Sequence, residues 1–337
     1  MILVLNCGSQ SVKWKLFNTN LKLAEAGKVF ISKNDNYQKK IEQELEKIKN
    51  KDVSLIGHRV VHGGDKFKKP TEITENVLQD LEKLSFLAPI HNPYNVLGIK
   101  ACQKIFNGIK NIAVFDTEFF VDLPKKVVTY ALPEDISKKF GFKKFGFHGI
   151  SHEYASKEAS KIIKKPFKKL KIITCHLGGG ASITAIKNGK PVDTSMGFTP
   201  MEGLVMMTRP GNIDAGIVLE LVKEFGVEET NKILNENSGI KGICGSGQML
   251  EVLEKLKNGD KKAKLAFDVF IYLIQKYIGA YYAILGGCDL LVFTGSIGAG
   301  NPKTRNAILK GLNILNKTKI LKIETDEERA ILLKIKK

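Results

Sequence analysis

The sequence predicts a two-lobed α/β protein, duplicated internally, with a cleft between the lobes. Three observations lead there. The first is the opening: Ile2 to Asn6 is apolar, Cys7 to Ser11 is a short Gly/Ser turn, and Val12 to Phe17 follows as a second strand. The second is the return of that unit about half a chain later, in Lys171 to Cys175, the turn His176-Leu-Gly-Gly-Gly-Ala-Ser182, and Ile183 to Ile186. The third is the presence of helical patterns between the strands in a chain of 337 residues, enough for two domains of ordinary size.

The remaining elements follow in order. A third strand is expected near Leu21 to Phe30. A helix is expected over Ser151 to Lys164, with Ser151 as its cap and Glu153 in its first turn. Asn188-Gly189 is a two-residue hairpin signal leading into a strand from Lys190 to Thr194. Asp214 opens a helix that runs through Leu221 to Phe225 and stops at Gly226. The most apolar stretch, Leu265 to Cys288, is broken by Asp268 and Lys276, so it reads as a core helix and not a membrane span. Leu290 to Thr294, leading into Gly295-Ser-Ile-Gly-Ala-Gly300, reads as a third copy of the strand–glycine turn.

Composition bounds the function. Hydrophobic content of 43% with 26% charged residues is that of a soluble globular protein. Met1 to Asn6 has no basic residues before it and enters a turn at once, so no leader is read. Five scattered cysteines without CxxC or metal-ligand spacing point to reduced, buried thiols and a cytoplasmic location. The net charge of +18 raises nucleic acid as a partner. However, the lysines of Lys66 to Lys69 and Lys161 to Lys171 alternate with apolar residues and form no stacking pattern, so a solvated surface is expected, with no nucleic-acid or membrane partner. A positive field also suits small anionic substrates.

Short Gly/Ser turns between strands expose backbone N–H groups and hydroxyls that suit phosphate oxygens. None of the three here is followed by Gly-Lys-Ser/Thr, and Gly295-x-x-Gly298-x-Gly300 matches a dinucleotide fingerprint only loosely. Hairpins need glycine anyway, so these turns leave phosphate binding and plain turn geometry both open.

Specific strings narrow the choice. Asn6-Cys-Gly-Ser-Gln-Ser-Val-Lys13 is followed by Gly57-His-Arg-Val-Val-His-Gly-Gly64, Leu87-Ala-Pro-Ile-His-Asn-Pro93 and Phe115-Asp-Thr117. Next come Tyr130-Ala-Leu-Pro133, Phe145-Gly-Phe-His-Gly-Ile-Ser-His152 and Asp193-Thr-Ser-Met-Gly-Phe-Thr-Pro200. Together they resemble the acetate kinase family from Met1 to about Ala330, in a chain shorter than is usual for it. The resemblance implies the duplicated ribonuclease-H-like fold shared with sugar kinases, actin and Hsp70-type ATPases. It implies an N-terminal lobe of residues 1–118 plus about 328–337 and a C-terminal lobe of 119–327. It also implies a cytoplasmic homodimer that uses ATP/ADP and Mg²⁺ or Mn²⁺ to phosphorylate acetate reversibly.

The resemblance carries roles residue by residue. Arg59 and Arg209 correspond to the family's two essential arginines, whose forked, permanently charged guanidinium groups suit a carboxylate meeting a phosphoryl group. His148 is implied to donate to the transferring phosphoryl group. Its i,i+4 spacing to His152 suggests zinc, but Gly149 argues for a turn and no third ligand is adjacent. Asp116 is implied to place the metal or an arginine, and Glu327 and Asn6 to hold the metal. Asn6, Ser9, Ser11 and Lys13 match the first phosphate turn. Val61, Ile90, Phe147 and Pro200 match the acetate methyl pocket, and His91 and His176 match site histidines. Structural roles remain open for these six.

The nucleotide side departs from the family pattern. Expected contacts are His176, Gly178, Gly179, Gly180, Gln248, Ser296, Ile297 and Gly298. Gly179 stands where the family has Asn, Met207, Pro210 and Asn212 alter the segment around Arg209, and Gly245 to Glu251 lacks the usual Asp and Arg. Ser296, Ala299 and Gly300 replace Gly, Glu and Asn. Three alternatives follow: a propionate or butyrate kinase, a different phosphoryl donor such as pyrophosphate, or a non-catalytic nucleotide-binding member of the fold.

Overall fold

The computed structural model describes residues 1–9, 11–32, 35–89 and 91–336. The chain divides into two compact units. One comprises Met1–Val121, Phe147–Tyr154 and Asp326–Lys337, the other Asp122–Gly146 and Ala155–Thr325. The segment Phe147–Tyr154, which the sequence places in the second lobe, thus groups with the first.

In the first unit, β1 (Ile2–Gly8), β2 (Ser11–Phe17) and β3 (Leu23–Phe30) form an antiparallel meander. β4 (Leu55–Val60) joins β1 in parallel, β5 (Thr71–Glu72) is a short edge, and β6 (Asn111–Phe115) runs parallel to β4. The sheet order is β3-β2-β1-β4-β6-β5. β1 lacks polar alternation because both of its faces are buried. Leu3 and Leu5 pack with Ile41, Leu45 and Ala101 from the helices Tyr37–Glu46 and Asn92–Ile105. Ile2 and Val4 pack on the other side with Val114, Ile150, Ile331 and Leu332. The last two belong to the C-terminal helix Glu327–Ile335, which is thereby held against the strands that begin the chain.

The second unit repeats the plan. β7 (Lys171–Leu177), β8 (Ala181–Lys187) and β9 (Lys190–Thr194) form the meander. β10 (Leu290–Thr294) and β11 (Lys319–Lys322) extend it in parallel, in the order β11-β10-β7-β8-β9. The order β3-β2-β1-β4-β6 in one unit matches β9-β8-β7-β10-β11 in the other, so the duplication extends beyond the hairpins to the whole sheet. Asn188 and Gly189 both take positive φ, 54° and 80°, as a tight hairpin requires. The long helix Lys261–Leu285 is a core helix packed on β7 and β8. Among the described residues no helix is long and apolar enough to cross a membrane.

Three local expectations change. The helix expected at Ser151 begins at Gly149, so Ser151 lies within its first turn and is not its cap. Gly226 interrupts its helix with φ 75° and ψ 170°, but helical residues resume after it as far as Glu236. β10 is the counterpart of β4, so its glycine turn leads into the short helix Gly295–Gly298 and not into a hairpin.

His58, buried in β4, donates a 2.7 Å hydrogen bond through Nε2 to Asn111 Oδ1. Burial pulls its pKa down from about 6.5 to about 4. A depressed value means that the unfolded chain binds the proton first. Stability is therefore complete above pH 6.5 and falls as pH drops toward 4, by up to about 3 kcal/mol from this group. Urea unfolding should lose stability more steeply between pH 6.5 and 4 in the wild type than in His58→Gln. Equal slopes would contradict it.

Candidate active site

The first cluster stands at the carboxyl ends of the parallel strands, where open α/β sheets place their ligands. Asn6 lies in the last half of β1, Arg59 near the end of β4, and Asp116 follows β6. Glu327 opens the C-terminal helix, whose packing against β1 and β4 delivers it here. Arg59 Nε donates to both Asp116 oxygens at 3.3 and 3.2 Å, and Nη2 donates to Oδ2 at 2.6 Å. Arg59 Nη1 donates to Glu327 Oε2 at 2.9 Å and to Asn6 Oδ1 at 3.2 Å. Asn6 Nδ2 reaches Glu327 Oε2 at 2.6 Å and Glu328 Oε1 at 3.2 Å.

Three further side chains enter that were not singled out from the sequence. Lys15 Nζ lies 2.7 Å from Asp326 and 3.5 Å from Glu328. Burial alone would lower the Arg59 pKa, but Asp116 and Glu327 outweigh it and hold the guanidinium charged. Burial pushes the Asp116 carboxyl up, and Arg59 against it pulls it back. The tally is two cations, Arg59 and Lys15, against four carboxylates, Asp116, Asp326, Glu327 and Glu328.

His148 has φ 57°, a left-handed backbone uncommon for a residue with a side chain. The chain turns there because Gly149 donates its N–H to the Asp116 carbonyl at 3.0 Å. A Cβ on Gly149 would sit 2.2 Å from that oxygen, so the approach requires glycine. The backbone thus ties His148 to Asp116. His152 donates its N–H to the His148 carbonyl, and among the described residues no cluster of three His, Cys, Asp or Glu suits a metal.

Of the methyl-pocket residues, Val61 and Phe147 are buried and both neighbour His62: Val61 precedes it in sequence, and Phe147 meets its ring edge-on at 5.3 Å. Ile90 lies outside the described residues. His91 stands at the start of the helix Asn92–Ile105. Two buried asparagines of that helix fasten the neighbouring strand ends: Asn95 bonds the Cys7 carbonyl and the Val61 N–H, and Asn92 bonds the backbone of His62. Their signal in the sequence is polar residues on an otherwise apolar helix face. Ser9, Ser11 and Lys13 flank the first hairpin, with Ser9 and Lys13 exposed and Lys13 directly opposite Asn6 across the strands.

In the second unit, Arg209 Nη1 donates to the Pro200 carbonyl at 2.8 Å. Among the described residues no carboxylate lies within ion-pair distance of it. Burial lowers its pKa to about 10, which leaves it charged at neutral pH. The segment before it is braced by Glu202, which accepts from Tyr130 and pairs with Lys144 at 2.9 Å, while Phe198 N–H donates to Tyr130 at 2.8 Å. Phe145 N–H also donates to the Gly197 carbonyl at 3.0 Å, so three of the motif strings converge beside Arg209.

Two glycine turns also converge. His176 ends β7, Gly178 N–H donates to Gly180 at 2.9 Å, and Gly179 accepts from Met207 N–H at 3.2 Å. A Cβ on Gly178 would lie 3.5 Å from Ser296 Oγ and 3.9 Å from His176 Nε2, so the Gly178–Gly180 and Ser296–Gly298 turns touch. Gly295, at φ 82° and with no space for a Cβ against the Leu177 carbonyl, makes this contact possible. Thr325 Oγ1 accepts its N–H at 2.7 Å, and Arg305 holds the carbonyls of Gly298 and Ala299 at 2.8 and 2.5 Å. Gln248 is exposed on another loop, whose Gly247 neighbours Thr208.

Comparison with known proteins accounts for this arrangement. Residues 31–335 match the model of the acetokinase family. Acetate kinase from Dictyoglomus turgidum is 42% identical over 348 aligned positions, covering 93% of this chain and 86% of that one. The crystal structure of Porphyromonas gingivalis acetate kinase superposes with a TM-score of 0.88 at 35% identity, covering 99% of this chain and 98% of that one. A propionate kinase structure from Francisella tularensis gives 0.89 at 36% identity, covering 98% and 97%. The fold is the duplicated ribonuclease-H-like, actin-like ATPase fold of these kinases, and the chain belongs to the acetokinase family.

Proposed function

We propose that this chain is an acetate kinase, a phosphotransferase with a carboxyl group as acceptor. A carboxylate oxygen of acetate attacks the γ-phosphorus of ATP, the bond to the β,γ-bridging oxygen breaks, and acetyl phosphate and ADP form; the reverse runs through the same site. The observation that carries this reading is the partly buried Arg209 guanidinium with a backbone carbonyl but no carboxylate against it, a charge suited to an anionic substrate.

Phosphoryl transfer asks little covalent work of a protein, so positioning and charge neutralisation carry the rate. In this reading Arg209 and Arg59 hold the acetate carboxylate and the transferring group, Asp116 orients Arg59, and His148 donates a hydrogen bond to a phosphoryl oxygen. The family resemblance assigns the methyl group to Val61, Ile90, Phe147 and Pro200, and a site role to His91. Ser9, Ser11, Lys13, the Gly178–Gly180 turn with His176, and Ser296, Ile297 and Gly298 hold the phosphates, and Gln248 lies toward the nucleoside.

Asn6 and Glu327 offer hard oxygen donors of the kind Mg²⁺ takes, and Mg²⁺ needs only one or two protein carboxylates because substrate phosphates and water complete its shell. Asn6 and Glu327 would hold Mg²⁺, which when bound neutralises phosphate charge. A homodimer is also proposed, supported by Ile217, Leu219, Phe225 and Val227, which the helix Ala215–Glu236 leaves exposed. Light scattering should return twice the chain mass, and a single-chain mass at micromolar concentration contradicts it.

Hydroxamate trapping of the acyl phosphate, run with ATP, GTP and pyrophosphate against acetate, propionate and butyrate, tests the substrate assignment. Fastest product formation from ATP and acetate is expected. One methylene changes selectivity by only ~1–3 kcal/mol, so propionate should react more slowly but measurably. Faster turnover with pyrophosphate, or with butyrate, would replace this assignment.

A further inference from the structure

Away from the reacting groups, Lys334 is held between two carboxylates. Its Nζ lies 2.8 Å from Glu118 Oε1 and 2.5 Å from Glu153 Oε2, and the three side chains are 14%, 13% and 17% exposed. Each of the three lies close in sequence to a residue of the proposed site, and Lys334 shares its helix with one. Glu118 is two residues beyond Asp116, Glu153 is five beyond His148, and Lys334 is seven beyond Glu327 on the same helix. Seven residues are two turns, about 10 Å of rise, so Glu327 and Lys334 share one helix face.

The choice of residues is informative. Ala330, Ile331 and Leu332 already pack this helix onto Ile2, Val4 and Val114, so its attachment does not depend on an ion pair. A buried ion pair adds little net stability over apolar packing, and its best-attested use is to specify register. Rotating or sliding this helix by even part of a turn would pull the Lys334 ammonium away from the two carboxylates it bridges. Apolar packing alone tolerates such slips more readily.

We propose that Lys334 is a positioning residue: clamped by Glu118 and Glu153, it sets the register of the C-terminal helix so that Glu327 meets Arg59 and Asp116. This rests on the acetate kinase reading, in which those three groups serve phosphoryl transfer. The test compares the wild type with Lys334→Arg, Lys334→Met and the neutral triple variant Glu118→Gln/Glu153→Gln/Lys334→Met. Acyl phosphate formation and hydrogen exchange of the amides of residues 329–334 are followed in each.

Lys334→Met should lower kcat about tenfold or more while the KM for acetate moves less than about twofold, since small displacements of reacting groups cost 10- to 100-fold. Its helix amides should exchange faster, and Lys334→Arg should restore most of both. The triple variant removes the charges of all three side chains together, so it should fold and still show low kcat and fast exchange. A folded triple variant with wild-type kcat and exchange, or a Lys334→Arg variant no better than Lys334→Met, would overturn the proposal. If the wild type itself forms no acyl phosphate, the kinase reading fails, and the exchange rates still decide whether Lys334 sets the helix register.

Discussion

Arg209→Ala should lower acetate turnover on the order of 10³-fold or more while leaving the protein at least as stable as the wild type. The two halves of this expectation have one cause. Arg209 meets the Pro200 carbonyl and, among the described residues, no carboxylate, so the folded chain keeps a partly buried cation without an anion to balance it. Removing an uncompensated charge costs the fold little. Removing it from a reaction between two anions costs the transition state the charge it lacks most, and arginines in phosphoryl transfer contribute 10³- to 10⁵-fold. Arg209→Lys keeps the charge and loses the fork, so its rate should fall between the two. Steady-state rates and thermal melts on the same preparations check both halves. A folded Arg209→Ala variant within tenfold of the wild-type rate would remove Arg209 from the mechanism.

Arg59→Ala should lose a similar factor in turnover, again on the order of 10³ or more, but here stability should fall as well. Arg59 makes a forked contact to Asp116 and single contacts to Glu327 and Asn6, with Asp116 almost fully buried. Its loss removes the cation that meets Asp116 and Glu327. Breaking one partner out of a buried ion pair typically costs about 3–5 kcal/mol, because the remaining charge stays buried. Urea unfolding should therefore separate the two arginines: a lower midpoint for Arg59→Ala, an unchanged or higher one for Arg209→Ala. Equal stability for both variants would mean that Arg59 is not the hub of the acidic cluster.

Much of the fold is readable from local pattern. β1, the hairpins and the strand at Lys190 to Thr194 declare themselves through apolar runs and Asn188-Gly189, since these signals act over a few residues. The equivalence of β10 with β4 is not local. It rests on sheet order, and an apolar strand followed by glycine looks alike whether a strand or a helix comes next. Ser151 illustrates the same limit at a helix end, where the close approach of Gly149 to the Asp116 carbonyl starts the helix earlier than a capping preference would.

The candidate site divides in the same way. Arg59, Asp116, His148, Arg209 and Glu327 stand inside distinctive strings and carry over from them. Lys15 and Glu328 do not, because their contacts join residues more than 300 positions apart and neither residue type is informative alone. Lys334 is one lysine among the 53 basic residues of the chain, and only folding shows it to be held by two carboxylates. Arg305 is a comparable case: its role in holding the Gly298 and Ala299 carbonyls depends on the path of the chain after the turn.

The most direct measurement is ³¹P NMR of the purified chain mixed with ATP, Mg²⁺ and acetate. An acyl phosphate resonance should grow in step with ADP, disappear when acetate is omitted, and reverse to ATP when acetyl phosphate and ADP are supplied instead. A folded, monodisperse preparation that leaves acetate unphosphorylated with ATP and with every other donor tried would contradict the assignment.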